Sequence, residues 1–327
     1  MRFVIYGAGG IGSVVGGRMF EHGHDVVLIA RPAHVAAIRA DGLRIESAVG
    51  TATVPVPVVE HPEELTFSGD DVVLLATKSQ GTLEAVQTLA ALAPASTPVA
   101  SLQNGVANEP VALRWFPNVY GICVMCPTGY LEPGIVQAFA TPTSGILDLG
   151  RYPDGVDDVA VAIAAALDGS TFSSHAIPDI MRWKHTKLLM NLGNALAAVA
   201  APGDWVGEVW QQARDEGEAC FRAAGIDYAS ADEDRERRGD LTRPRDIPGR
   251  ERGGGSSWQS LARGTGNIES DYLNGEIALL GRIHGVPTPV NALLQRLATE
   301  AAARRDPPGQ LTEAEYRRRL AAAGEGG

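Results

Sequence analysis

The sequence predicts an α/β chain in two parts, a doubly wound parallel sheet followed by an all-helical domain, and three observations carry that prediction. The chain opens with a short apolar run, Phe3 to Tyr6, that meets glycines at 7, 9 and 12 and continues as a helix-like segment to Phe20. Further short apolar runs recur along the first half, separated by turns or by stretches of helical length. Beyond Pro178 helical periodicity takes over. The boundary is therefore placed near residue 176, with a sheet domain over residues 1–176 and a helical domain over 177–327.

The opening stretch MRFVIYGAGGIGSVVGG has a mechanical reading. Gly7 allows the tight turn out of the strand, Gly9 lets a pyrophosphate approach the backbone, and Gly12 lets the helix pack close to the strand. Gly10 lies in the same turn, where freed N–H groups and the helix dipole face an anion. This is the Rossmann-type dinucleotide fingerprint, so Gly7, Gly9, Gly10 and Gly12 are candidate cofactor-binding positions. The second strand, Asp25 to Ala30, ends on Arg31, where an NAD-binding chain usually carries Asp or Glu. A guanidinium there suits a 2′-phosphate. One charge-assisted contact of roughly 1.5–3 kcal/mol favours NADPH over NADH about ten- to a hundredfold.

The remaining elements of the first half follow in order. His34 to Ala40 reads as a helix, with a turn at Asp41-Gly42, and residues 43–59 as a β-rich excursion whose prolines favour an edge. Asp71 to Ala76 is a continuous apolar strand ending on Thr77-Lys78. A helix spans Thr82 to Leu92, and the strand Pro98 to Gln103 ends on Asn104-Gly105. In doubly wound sheets ligands lie at the carboxyl ends of strands, and Gly7, Arg31, Lys78 and Asn104 all fall there. From Val119 to Gly150 further strands are expected, with turns at Glu132-Pro-Gly134 and at Gly150. A helix from Asp157 to Leu167 and a last strand from Thr171 to Ile177 follow.

Composition bounds the function. A chain of 327 residues with net charge −11 and pI near 5.1 is ill suited to nucleic acid or an anionic membrane as main partner. It has no apolar run long enough to span a bilayer and no signal-peptide pattern before the first strand, so a cytoplasmic location is expected. The three cysteines make no disulfide framework. Cys123 and Cys126 form a lone C-x-x-C inside an apolar run and read as buried packing thiols. No metal-ligand spacing appears, so no metal is expected.

In the second half, Asp179 to Val199 reads as one helix. Lys187, Asn191 and Asn194 fall at i, i+4 and i+7 on one face, while Leu188, Leu192, Ala195 and Val199 line another. Asparagines are poor helix formers and need another reason to be there, either ligand binding or an interdomain hydrogen-bonding face.

At these residues the chain resembles the ketopantoate reductases (2-dehydropantoate 2-reductases). The likeness is carried by GAGGIG, the strand ends ATK and LQNG, the W-x-x-x-K-x-x-x-N-x-x-N helix, Ser256-Ser257, Ile268 to Gly275, and His284 to Pro289. It covers roughly residues 1–300. The resemblance implies a Rossmann domain, a helical domain, and NADP(H)-dependent reduction of a small 2-oxo acid. It implies that Lys187 is the catalytic lysine and that Glu269, opening a later helix, faces it. Lys78 and Asn104 would contact the nicotinamide end and the substrate, and Asn191, Asn194 and Ser257 the substrate. Two departures bear on the substrate: the second helix asparagine is often at i+8, and an acid common four residues after the serine is Leu261 here.

The chemistry suits these side chains on its own terms. Hydride delivery to a ketone builds charge on its oxygen, which must be stabilised and protonated away from water. A lysine ammonium can do both, with general-acid help of about 10²–10⁴-fold. His185, two residues before Lys187, is the rival acid but points to a different side of the helix. A related dehydrogenase with another hydroxy acid, and a non-catalytic NADP(H) sensor, remain open, as does a homodimer. An insert near 229–255 carries seven acidic side chains and seven arginines over Asp232–Arg252, and reads as a solvated loop, a lid or a dimer contact. Val290 to Ala303 reads as a closing helix. Thr312 and Glu315 then form a capping box for a terminal helix ahead of a Gly-rich tail.

Overall fold

The computed structural model describes residues 1–250 and 253–324; Glu251, Arg252 and the tail 325–327 lie outside the described residues. The chain forms two compact units, Met1–Lys184 with Ala229–Arg252, and His185–Tyr228 with Gly253–Gly327. The strands in chain order are β1 Arg2–Tyr6, β2 Asp25–Ile29, β3 Leu43–Ser47, β4 Gly50–Val54, β5 Val58–Val59, β6 Asp71–Leu75, β7 Val99–Ser101, β8 Val119–Met125, β9 Thr128–Gly129, β10 Ile135–Ala138, β11 Ala140–Pro142, β12 Gly145–Arg151, β13 Phe172–Ser173 and β14 Thr242–Pro244. The helices are α1 Gly10–Glu21, α2 Pro32–Asp41, α3 Thr82–Leu92, α4 Asn108–Leu113, α5 Asp158–Asp168, α6 Ile180–Asn191, α7 Gly193–Val199, α8 Trp205–Ala224, α9 Ala231–Arg238, α10 Ser256–Ala262, α11 Asn274–His284, α12 Pro289–Arg304 and α13 Glu313–Gly324.

In the first unit eight strands form one sheet in the order β13-β12-β8-β7-β6-β1-β2-β5. From β5 to β8 every neighbouring pair is parallel, and β12 joins antiparallel to β8. The central strands are apolar throughout because both faces are covered. Phe3 and Ile5 of β1 pack with Val14, Leu28 and Leu74, whereas Val4 packs with Val27, Val73, Val86 and Leu89. A smaller sheet, β4-β3-β10-β9, absorbs the β-rich excursion. The proline-containing segment ends in β5 at the edge of the main sheet, as expected of residues that cannot donate to a ladder.

Several boundaries differ from the sequence expectation. Gly150 is not at a turn but inside β12, where a Cβ would come within 2.1 Å of the Ile177 carbonyl oxygen. The last strand shrinks to Phe172–Ser173 with one further bridge between Leu149 and Ala176. The short helix α4 has no clear periodic signal.

The largest correction concerns the charged insert. Its described part is a structured piece of the first unit rather than a solvated loop. Ser230 caps α9 through a reciprocal capping box with Glu233. Arg237 grips Asp148 of β12 with bonds of 2.7 and 2.6 Å and also donates to Ser173 Oγ. Arg182 pairs with Glu233, Arg250 pairs with Glu46 of β3, and β14 pairs antiparallel with β11. Asp148 and Glu46 are only 4% and 3% exposed, and buried carboxylates require such partners. The Arg250 guanidinium holds the Glu46 carboxyl below its usual range.

The second unit is helical. Leu188, Leu189, Leu192, Leu196, Phe221, Ile277, Leu293 and Leu294 are among its buried side chains. The expected single helix over Asp179–Val199 is instead two, α6 and α7, interrupted at Leu192. The Leu192 N–H reaches back only to Leu189 O, at 3.4 Å, and the Leu192 carbonyl accepts a bond from Asn274 Nδ2 at 2.9 Å. Asn274 also donates to Asn291, whose Nδ2 reaches the Ala213 carbonyl, so one buried amide chain ties α7, α8, α11 and α12. Glu216 caps α12 by accepting the Val290 and Asn291 N–H groups, while burial still pushes its pKa up. Among the described residues no helix is long and apolar enough to cross a membrane.

Candidate active site

The candidate nucleotide site of the first unit lies at the carboxyl ends of β2, β1, β6 and β7. Tyr6 lies opposite both Ile29 and Leu75, and Leu75 opposite Ser101, so these four strands end in step. Arg31, the glycine turn, Lys78 and Asn104 therefore follow one another along a single edge. Three strand spacings separate the first from the last, roughly 14 Å.

The glycines divide into two kinds. Gly7 has φ +104°, and a Cβ there would sit 2.6 Å from the Thr77 backbone N; one on Gly12 would sit 2.6 Å from Gly7 O. These two are required by the fold itself. Around Gly9 nothing lies within 4 Å of the position a Cβ would take. Gly9 is also the N-cap of α1, which no side chain caps. Open space before an uncapped helix start fits a pyrophosphate, so these residues suit a dinucleotide. Gly10 faces Thr128, whose Oγ1 would be 3.0 Å from a Cβ at that position.

Arg31 is exposed at the start of α2, beside the opening of that turn. Three residues on, His34 is 1% exposed and ties α2 to α1 and to the turn before β10. Gly134 N–H donates to its Nδ1 at 2.8 Å, so the ring's Nε2 carries the proton and donates to Ser13 Oγ at 3.0 Å. Burial, with the nearby Arg31 charge, lowers its pKa to about 4. Lys78 and Asn104 are half-buried, Lys78 at the start of a 3-10 turn over Ser79–Gly81 and Asn104 just before Gly105, φ +79°.

In the second unit the candidate groups are side chains. Lys187 and Asn194 are half-buried and Asn191 is 5% exposed. Leu192 keeps right-handed helical dihedrals through the interruption, so Asn194 stays in phase with Lys187 and Asn191. Ser257, 3% exposed, lies in the first turn of α10, which packs against α7. A Cβ on Gly255 would come 3.9 Å from Asn194 Oδ1, which places the start of α10 beside that asparagine. Leu261, one turn further along α10, is buried as well. Glu269 is half-buried but does not open a helix: it starts a 3-10 turn over Glu269–Tyr272, and α11 begins only at Asn274. His185 packs edge-on against Phe221.

Sequence reasoning passed over Lys184, Glu109, Gln103 and Asn108. All four are buried in the first unit, and Lys184 Nζ lies 2.8 Å from Glu109 Oε1. The signal was faint, since Lys184 reads as an ordinary helix lysine and its partner is 75 positions earlier in the sequence. Among the described residues no group of three or more His, Cys, Asp or Glu side chains is placed to hold a metal ion.

Known proteins resemble the chain over both of its parts. Residues 3–154 match the family described as ketopantoate reductase PanE/ApbA, and residues 179–302 match its C-terminal part. The 2-dehydropantoate 2-reductase of Pyrococcus abyssi (strain GE5 / Orsay) is 28% identical over 312 residues, covering 90% of this chain and 95% of its own. The crystal structure of a PanE/ApbA family ketopantoate reductase from Ralstonia eutropha JMP134 superposes with TM-score 0.78 at 30% identity, over 93% of this chain and 99% of that one. The ternary structure of D-mandelate dehydrogenase with NADH and anilino(oxo)acetate also gives TM-score 0.78, at 25% identity, over 94% of this chain and 100% of that one. The chain belongs to the ketopantoate reductase family and is an NADP(H)-dependent oxidoreductase of the 2-dehydropantoate 2-reductase type.

Proposed function

We propose that the protein is a cytoplasmic enzyme that reduces 2-dehydropantoate to pantoate with NADPH, and that Lys187 is the general acid. The observation that carries this reading is the half-buried lysine aligned with Asn191 and Asn194 along α6 and α7, with Ser257 at the adjoining start of α10. NADPH, when bound, supplies the hydride. Lys187 stabilises the charge that develops on the carbonyl oxygen and delivers the proton. The asparagines and Ser257 donate to and accept from the hydroxy acid without adding net charge. Glu269 balances the lysine or binds the substrate hydroxyl. On the strand-end edge, Arg31 takes the 2′-phosphate, the α1 start the pyrophosphate, and Lys78 with Asn104 the nicotinamide end, in the order the cofactor's parts require.

A second reading is favoured by two observations: the D-mandelate dehydrogenase structure is as similar by TM-score as the ketopantoate reductase one, and Leu261 is buried where the family often has an acid. It assigns a 2-oxo acid with a larger apolar body. Oxidation of NADPH and NADH, followed by absorbance with ketopantoate, benzoylformate and aliphatic 2-oxo acids, separates the two. A higher kcat/KM on ketopantoate supports the first reading, and turnover confined to the other acids moves the assignment to the second. Tight NADPH binding with no turnover on any of them removes both.

A further inference from the structure

Beneath the strand ends that carry Lys78 and Asn104 runs a cluster of polar side chains shielded from water. Gln103, Thr82, Asn108, Lys184 and Glu109 are each no more than 3% exposed. Gln103 Nε2 donates to the Thr77 carbonyl at 2.8 Å and to Thr82 Oγ1 at 2.9 Å. Thr82 Oγ1 donates to Asn108 Oδ1 at 2.8 Å, and Asn108 Nδ2 donates to the Asn104 carbonyl at 3.0 Å. Lys184 Nζ donates to the carbonyls of Gln103 and Ile122 at 2.8 and 3.1 Å and forms an ion pair with Glu109 Oε1 at 2.8 Å.

Four backbone carbonyls are held in this way: that of Thr77, immediately before Lys78, those of Gln103 and Asn104, and that of Ile122 in β8. A buried ion pair is a poor source of stability beside apolar residues of similar volume, so its presence calls for another role. Lys184 holds the carbonyl immediately before Asn104, Gln103 and Asn108 hold those of Thr77 and Asn104, and looseness of about one ångström in such a loop costs up to 10²-fold in rate. We propose that Lys184, Glu109, Gln103, Thr82 and Asn108 are positioning residues that fix Lys78 and Asn104 for the nicotinamide end of the dinucleotide. This rests on the assignment of those two side chains made under Proposed function.

The grip acts at one end of the cofactor only, and the test uses that asymmetry. In the full-length protein, the double variant Lys184→Met/Glu109→Leu removes the pair without leaving a lone buried charge. Its affinities for NADPH and for 2′,5′-ADP, which lacks the nicotinamide, are measured by calorimetry alongside melting temperature and kcat. The expected result is NADPH binding weakened about tenfold, 2′,5′-ADP binding unchanged within about twofold, and kcat lowered ten- to a hundredfold. Equal weakening of both ligands, or no change in either, overturns the proposal. If the double variant does not fold, Thr82→Val, which breaks the link between Gln103 and Asn108, is read by the same criteria. Wild-type protein that binds NADPH but reduces no 2-oxo acid removes the proposed reaction and leaves the comparison of the two affinities intact, because that part needs no turnover.

Discussion

The two units carry their candidate ligand groups by opposite means. In the first, the ligand edge is mostly backbone: glycines clear space, an uncapped helix start offers N–H groups, and sheet register sets the spacing. In the second, the candidate groups are side chains on helices, and their alignment depends on the phase carried through the interruption at Leu192. A backbone site tolerates any side chain that stays out of the way, while a side-chain site fails with one substitution. The first arrangement suits a cofactor with fixed phosphates, and the second suits the part of the reaction that distinguishes substrates.

The hardest test of that contrast is Lys187→Ala. It is expected to lower kcat by about 10²–10⁴-fold while NADPH affinity stays near wild type, measured by steady-state kinetics and fluorescence titration. Near-normal turnover ends the assignment of the acid. Arg237→Met strips Asp148 of its guanidinium and is expected to cost roughly 3–5 kcal/mol in urea unfolding. A loss below 1 kcal/mol would mean that the insert is only laid against β12.

His34 gives the first unit a pH dependence. Its unfolded imidazole takes a proton near pH 6.5, whereas the folded one waits until about 4. The unfolded state therefore binds more protons between those values, and stability falls by roughly 3 kcal/mol as pH drops through that window. His34→Gln should flatten this part of the melting profile, and an unchanged slope assigns it to other groups.

Arg31 is the side-chain exception on the backbone edge. Arg31→Glu is expected to lower the NADPH/NADH ratio of kcat/KM by about ten- to a hundredfold, and an unaltered ratio removes it from cofactor selection. The smallest effect separates the glycines. Gly9→Ala meets no neighbour, so melting temperature should hold while NADPH affinity drops about tenfold. Gly12→Ala collides with Gly7 O and should lower the melting temperature instead.

Much of the first unit was legible because its signals are local. The glycine turn, the apolar runs of β1, β2 and β6, and the helix Thr82–Leu92 each announce themselves within a dozen residues. Long-range partnerships were not legible. Arg237 looks like any solvated arginine until Asp148, 89 positions away, is seen to be buried without it. Leu192 interrupts a helix with no Pro, and its carbonyl is held by an amide 82 residues later. Gly150 reads as a turn residue, yet its role is the close passage of Ile177 across an extended strand.

The route of the polypeptide has a practical consequence. It quits the sheet unit after Lys184, re-enters at Ala229 and departs again after Arg252, so neither compact body corresponds to one uninterrupted stretch of coding sequence. Cutting the gene after β13 would yield a fragment in which Asp148 loses Arg237, and Glu46 loses Arg250 and keeps only Arg44 as a counter-ion. Exchange of the nucleotide half between relatives would therefore have to transplant both pieces together.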